Sequence, residues 1–129
     1  MTKATFNYNN DIFISFEIKG HADYAEFGSD IVCSGITTAT FTTIGLLKKL
    51  LNKSDYLYLE KEALIKFELI NSEINNDLIK QVIQNFYEVL ENIQAQYPKH
   101  LNLKIAKINI GGGTKWWILV YNSLHLKKV

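Results

Sequence analysis

Phe6-Asn7-Tyr8-Asn9-Asn10-Asp11-Ile12-Phe13-Ile14-Ser15-Phe16-Glu17-Ile18 is the stretch that decides the fold of this chain. Phe6 and Tyr8 alternate with polar neighbours, which reads as a short strand. Asn9, Asn10 and Asp11 form a turn signal. Ile12, Ile14, Phe16 and Ile18 then alternate with Phe13, Ser15 and Glu17. Period two over this length predicts a half-buried strand, and the two runs together predict a hairpin.

Downstream of the hairpin the pattern changes. Gly20 to Asp30 holds two glycines, Gly20 and Gly28, among His21, Asp23, Glu26, Ser29 and Asp30. This reads as a loop of functional length rather than a tight connection. A helix is predicted from about Asp30 to Asn52, with Ser29 or Asp30 available to cap its first amides. Ile36, Thr40, Ile44, Leu47 and Leu51 share one face at helical spacing. Thr37, Thr38, Thr40, Thr42 and Thr43 lower helix propensity, so this helix relies on packing against a sheet. Nothing beside them resembles an activating base, so they read as surface and packing residues.

Tyr56–Leu59 and Leu64–Ile70 read as two more strands. Asn75 or Asn76 opens a second helix with a stripe of Ile79, Val82, Ile83, Phe86, Leu90 and Ile93, and Pro98 ends it. Leu101, Leu103 and Ile105 alternate as a last strand. The order β-β-α-β-β-α-β predicts an α+β fold, a mixed β-sheet with two helices on one face. The expected domain covers residues 1–106. Residues 107–129 form a C-terminal extension of unassigned role. In it Gly111-Gly112-Gly113 reads as a linker, and Trp116 to Tyr121 as a possible extra C-terminal strand. The glycines followed by Thr114 and Lys115 lack the spacer and residue order of a phosphate loop.

Composition narrows the function classes. The chain has 129 residues, enough for one compact domain, with 47% hydrophobic and 21% charged residues. Its net charge is +1, from 14 basic and 13 acidic residues, and every basic residue is Lys. That balance argues against a nucleic-acid partner. The polar stretch Met1–Asp11 lacks the apolar segment of a signal peptide, and no unbroken run of about 18 apolar residues predicts a membrane span. The single cysteine, Cys33, excludes an intrachain disulfide and fits a reducing, cytoplasmic setting.

The chemistry concentrates between Gly20 and Gly35. A histidine, His21, stands at the exit of a strand, and Cys33 stands near the start of a helix. The positive end of the helix dipole and a protonated His21 both favour an anionic sulfur, the form that attacks. The same imidazole can protonate a leaving amine. Amides at the helix start can face an oxyanion. A lone cysteine beside Ile31 and Val32 is more often a small core residue, because free cysteine is among the most buried types. A metal site is the weaker alternative. A structural zinc needs about four ligands, and Cys33, His21, His100 and His125 have no paired spacing. His100 and His125 read as surface residues, and Asp23 and Asp30 as loop and cap residues.

Gly20-His21-Ala22 and Asp30-Ile31-Val32-Cys33, with Gly28 in the loop and Ser34 as the small residue after the cysteine, resemble the Prp family of ribosomal-processing cysteine proteases. The resemblance covers roughly Thr5 to Ile105, including the element order. It implies a cysteine endopeptidase with His21 as base and Cys33 as nucleophile, needing no metal or organic cofactor. Asp30 would stand where an acidic residue helps orient the site, and Gly20 and Gly28 would shape a loop that closes on the substrate. The implied substrate is the N-terminal extension of large-subunit ribosomal protein twenty-seven, cut after an aromatic pair. A cytosolic homodimer with no nucleic-acid or membrane partner is also implied. Tyr24 and Phe27 are the candidates to line a substrate groove, the alternative being that both anchor the loop onto the core. The competing class is a non-catalytic dimeric module that chaperones a ribosomal protein or assembly factor. The tail from Ala106 to Val129 runs beyond the usual end of the family.

Overall fold

The computed structural model describes residues 1–20, 29–71, 74 and 76–108. Its elements run β1 (Thr2–Asn9), β2 (Ile12–Lys19), α1 (Ser29–Leu50), a 3-10 turn (Lys53–Asp55), β3 (Tyr56–Lys61), β4 (Leu64–Leu69), α2 (Asp77–Gln96) and β5 (Leu101–Ile108). The β-β-α-β-β-α-β order is the one predicted. The strands form one mixed sheet in the order β3-β4-β2-β1-β5. Neighbouring pairs are antiparallel except β1 and β5, which are parallel. β5 continues to Ile108, two residues beyond the expected domain end.

Asn10 makes the β1–β2 turn with φ +55°, a left-handed conformation that asparagine tolerates. The hairpin is not a plain alternation. Asn7 pairs with Ser15, but Tyr8 pairs with Phe13, so Ile14 is an extra residue in β2. This bulge swings Phe13 onto the face of Phe16 and Ile18 and leaves Ile12 exposed. The simple Ile12-Ile14-Phe16-Ile18 stripe therefore breaks at its first members. The aromatic residues gain from the shift. Phe6, Phe13 and Phe16 lie with centroids 5.8–6.5 Å apart.

Both helices cover this aromatic face. Phe86 of α2 meets Phe16 edge-on at 5.0 Å and Phe6 at 5.5 Å. Phe16 stacks on Phe67 of β4, which stacks on Tyr56 of β3. The α1 stripe Ile36, Thr40, Ile44, Leu47 and Leu51 is buried as its spacing predicts. Thr40 and Thr43 hide their hydroxyls by donating to the carbonyls of Ile36 and Ala39, at 2.7 and 2.8 Å. In α2, Ile79, Ile83, Phe86 and Leu90 are buried, and the Asn76 side chain caps the helix by accepting from the Ile79 amide at 3.1 Å. α1 begins at Ser29, with Asp30 as its second residue. The segment Ile31–Leu50 is long and apolar enough to cross a bilayer by composition, but here its stripe packs on the sheet and on α2.

One buried residue departs from the sequence reading, and a buried ion pair goes beyond it. His100 is buried, not a surface residue. Its amide donates to the Tyr97 carbonyl at 3.0 Å and its carbonyl accepts from Thr2 at 2.9 Å, which ties the α2–β5 turn to the start of β1. Lys66 and Glu68 form an ion pair on β4, with side chains only 4% and 2% exposed. They point away from Phe67, on the sheet face opposite the helices.

Burial raises the Tyr8 phenol above its ordinary value, and nearby Tyr87 adds to the shift. The fold thus favours neutral Tyr8. That contribution is complete below the unfolded phenol value of about 10 and declines as pH rises above it. Tyr8→Phe should therefore flatten the loss of urea resistance above about pH 10 while leaving the pH 7 midpoint nearly unchanged. Equal alkaline slopes in the two proteins would contradict this.

Candidate active site

Helix phase sets the exposure of the cysteine. Val32 and Ile36 are 1% and 3% exposed and anchor the first turns of α1. Cys33 lies about 100° round the helix from Val32. It falls at the margin of the buried stripe and is half-buried. Its thiol is neither sealed in the core nor fully in water.

Cys33 lines a cleft of about 260 Å³ between α1 and one end of the sheet. Thr2, Ile18 and Gly20 form one wall, and Cys33, Ile36, Thr37 and Phe41 form the second. The tip of the β3–β4 hairpin closes the third side with Glu60, Lys61, Ala63, Leu64 and Ile65. The surface is largely apolar, with Glu60 and Lys61 as its charged groups. Lys48 from the far half of α1 sits 4.2 Å above the Tyr58 ring and helps hold β3 against the helix. Burial, followed by the Glu60 carboxylate and its hydrogen bond, holds the Tyr58 phenol in its neutral form.

Gly20 has a specific structural reason. Its φ is +97°, and a Cβ there would stand 2.8 Å from the Met1 carbonyl oxygen. Only glycine meets both demands without strain. Its amide donates to the Ala63 carbonyl at 2.8 Å, which joins the end of β2 to the hairpin tip. Ala63 itself sits at φ +59°, strained for a residue with a side chain.

The predicted site residues therefore divide. Gly20 and Cys33 come together on one cleft, although they lie 13 positions apart in the chain. Ser34 is exposed on α1 and does not line the cleft. Asp30 lies in the first turn of α1. His21, Tyr24, Phe27 and Gly28 lie outside the described residues, as do Gly111–Gly113 and Trp116–Tyr121. Among the described residues no group of three His, Cys, Asp or Glu side chains is placed to hold a metal ion. The sequence reading missed Phe41 and the hairpin wall. Phe41 carried a signal, being a large apolar residue off the buried stripe and 39% exposed. The hairpin wall carried none, because β4 joins β2 by long-range pairing.

Residues 1–102 match the family described as cysteine protease Prp. A ribosomal processing cysteine protease Prp of Staphylococcus aureus is 28% identical over 85 residues, 65% of this chain and 78% of the relative. Its counterpart in Bacillus subtilis is 42% identical over 45 residues, 34% of this chain and 40% of the relative. Among solved structures, Staphylococcus aureus Prp with a covalently linked product peptide superposes with a TM-score of 0.70 at 21% identity, covering 81% of this chain and 99% of that one. A Streptococcus mutans protein gives 0.69 at 24% identity, covering 84% and 96%. At these identities the two structures establish the shared fold.

Gly20→Ala should cost about 1–3 kcal/mol in urea unfolding, from the positive φ and the clash with Met1. Gly45→Ala, whose Cβ would meet nothing within 4 Å, should instead gain about 0.5–1 kcal/mol. A neutral Gly20→Ala would show that this close approach is absent in solution.

Proposed function

The chain belongs to the Prp family of cysteine proteases, and from that premise we propose that it trims the N-terminal extension of a large-subunit ribosomal protein, number twenty-seven, using Cys33 and His21. The carrying observation is the cleft. It holds a half-exposed cysteine near the start of a helix, and it also holds Gly20, the residue joined directly to His21. His21 thus follows directly in the chain on a residue that lines the same cleft as Cys33. The alternative of a non-catalytic binding module is set aside by the family membership.

In the proposed cycle the Cys33 sulfur attacks the scissile carbonyl carbon. His21 takes the thiol proton and gives it to the departing amine, leaving a thioester. Water activated by the same imidazole hydrolyses the thioester and regenerates the thiol. In this reading amides of the first turn of α1 donate to the oxyanion. Asp30, in that turn, would steady the imidazole or the loop. The apolar walls at Ile18, Ile36, Phe41 and Ile65 suit aromatic side chains of an extended peptide. The Staphylococcus aureus structures are described as holding a substrate peptide and a covalently linked product peptide, which supports the same substrate class here. We extend the reading to a cytoplasmic setting, consistent with one free thiol, and to a pair of copies, on the family resemblance.

Incubation of the purified chain with the extended ribosomal protein tests this. Cys33→Ser and His21→Ala should each lower the cleavage rate by at least roughly a thousandfold, with cooperative unfolding retained. Phe41→Ala should raise KM more than it lowers kcat. Undiminished cleavage by Cys33→Ser would end the proposal.

A further inference from the structure

Glu60 stands where the sheet pattern calls for an apolar side chain. By pairing, the row Ala4–Ile18–Ile65–Glu60 crosses the helix-covered face beside the row Phe6–Phe16–Phe67–Tyr58. Ala4, Ile18, Phe6, Phe16 and Phe67 are core residues, and Ile65 packs against them. Alternation along β3 puts Tyr56, Tyr58 and Glu60 on this same face. The two tyrosines suit it: Tyr56 stacks on Phe67, and Tyr58 lies under the Lys48 ammonium. Glu60 is instead an exposed carboxylate at the outer end of its row. It lines the cleft that also holds Cys33.

This carboxylate is held in place. It accepts a hydrogen bond from the Tyr58 phenol, and the Lys48 Nζ, 4.2 Å from the centre of the Tyr58 ring, steadies that phenol in turn. A carboxylate has about four acceptor sites, and the phenol takes one. Lys61, next along the strand, belongs to the row Lys3–Lys19–Leu64–Lys61 on the other sheet face. Among the described residues that line the cleft, Glu60 is the sole carboxylate. Ile18, Ile36, Phe41 and Ile65 make the remaining walls apolar. Apolar walls displace water, so a charge contact made between them is screened less than one on an open surface.

We propose that Glu60 is a specificity-determining residue: its carboxylate accepts from the lysine or arginine side chain of a peptide held in the Cys33 cleft. This deepens, and rests on, the reading of that cleft as the place where a peptide is cut. A space of about 260 Å³ would be about 8 Å across were it round, the length of about two to three extended residues. The cation therefore lies within about three residues of the cut bond. An acidic side chain at that position meets like charge, so the same residue rejects acidic peptides while it selects basic ones. The apolar walls and the carboxylate thus read different side chains of one peptide.

Matched peptides test the proposal on the full-length chain. Quenched-fluorescence peptides spanning the proposed cut carry lysine, norleucine or glutamate at one position at a time, within about three residues on either side. At one position or more, the lysine peptide should be cleaved at least roughly tenfold faster in kcat/KM than the norleucine peptide, and the glutamate peptide slowest of all. Glu60→Gln should erase that preference while cutting the norleucine peptide within about twofold of the unaltered chain. Glu60→Lys should turn the preference toward glutamate. Tyr58→Phe, which releases the carboxylate, should shrink the preference and keep the norleucine rate. Glu62→Gln, at the exposed hairpin tip and outside the cleft lining, should leave the preference whole. The same peptides, labelled for fluorescence anisotropy, should bind the Cys33→Ser chain in the same order. A preference absent at every position, unchanged in Glu60→Gln, or erased equally by Glu62→Gln would overturn the assignment. Cleavage that needs Cys33 but ignores Glu60 in both rate and binding would remove this inference and keep the protease reading. Lysine-selective binding that needs Glu60, without any Cys33-dependent cleavage, would support the recognition and remove the protease reading.

Discussion

The packing of two helices on one aromatic sheet face is the constraint from which the rest follows. Phe6, Phe16, Phe67 and Phe86 interlock across three strands and one helix. Burying such side chains is the dominant favourable term in folding. Once α1 must present Val32, Ile36, Thr40, Ile44 and Leu47 to that face, its rotation is fixed. Cys33 then has to lie at the margin, with its sulfur on the cleft. The thiol's partial exposure is a by-product of helix phase.

The strand arrangement supplies the opposite wall. β4 pairs with β2, so the hairpin tip at Ala63 arrives beside Gly20 and not beside its sequence neighbours. The left-handed residues Gly20 and Ala63 sit at this junction. Strain collected at the rim of a cleft is common where a binding surface is shaped by loops. The opposite sheet face spends its burial differently, on a paired lysine and glutamate rather than on aromatics.

Much of this was legible from the residues. The helix stripes were read correctly because period 3.6 is a local signal, and Asn76 caps α2 as expected. The alternation of β1 and β2 gave the hairpin, but not the extra residue at Ile14, because a bulge is set by which side chains pack, not by the pattern alone. The burial of Lys66 and Glu68 had no signal, since nothing local tells that a strand's second face is buried. His100 read as surface for the same reason: its burial comes from the distant start of β1. The family motif grouped Gly20 and Cys33 in one candidate site, and both line the same cleft. The third wall, at Glu60–Ile65, depends on strand order and was not.

The central claim is that Cys33 is an accessible nucleophile tuned by the imidazole that follows Gly20. The most direct measurement is the rate of carbamidomethylation of the native chain by iodoacetamide, followed by intact mass across pH, beside His21→Ala. The account predicts fast modification of the folded protein, with a pH profile that changes when the imidazole is removed. A thiol that stays unmodified until the chain unfolds, or a profile indifferent to His21, would contradict it.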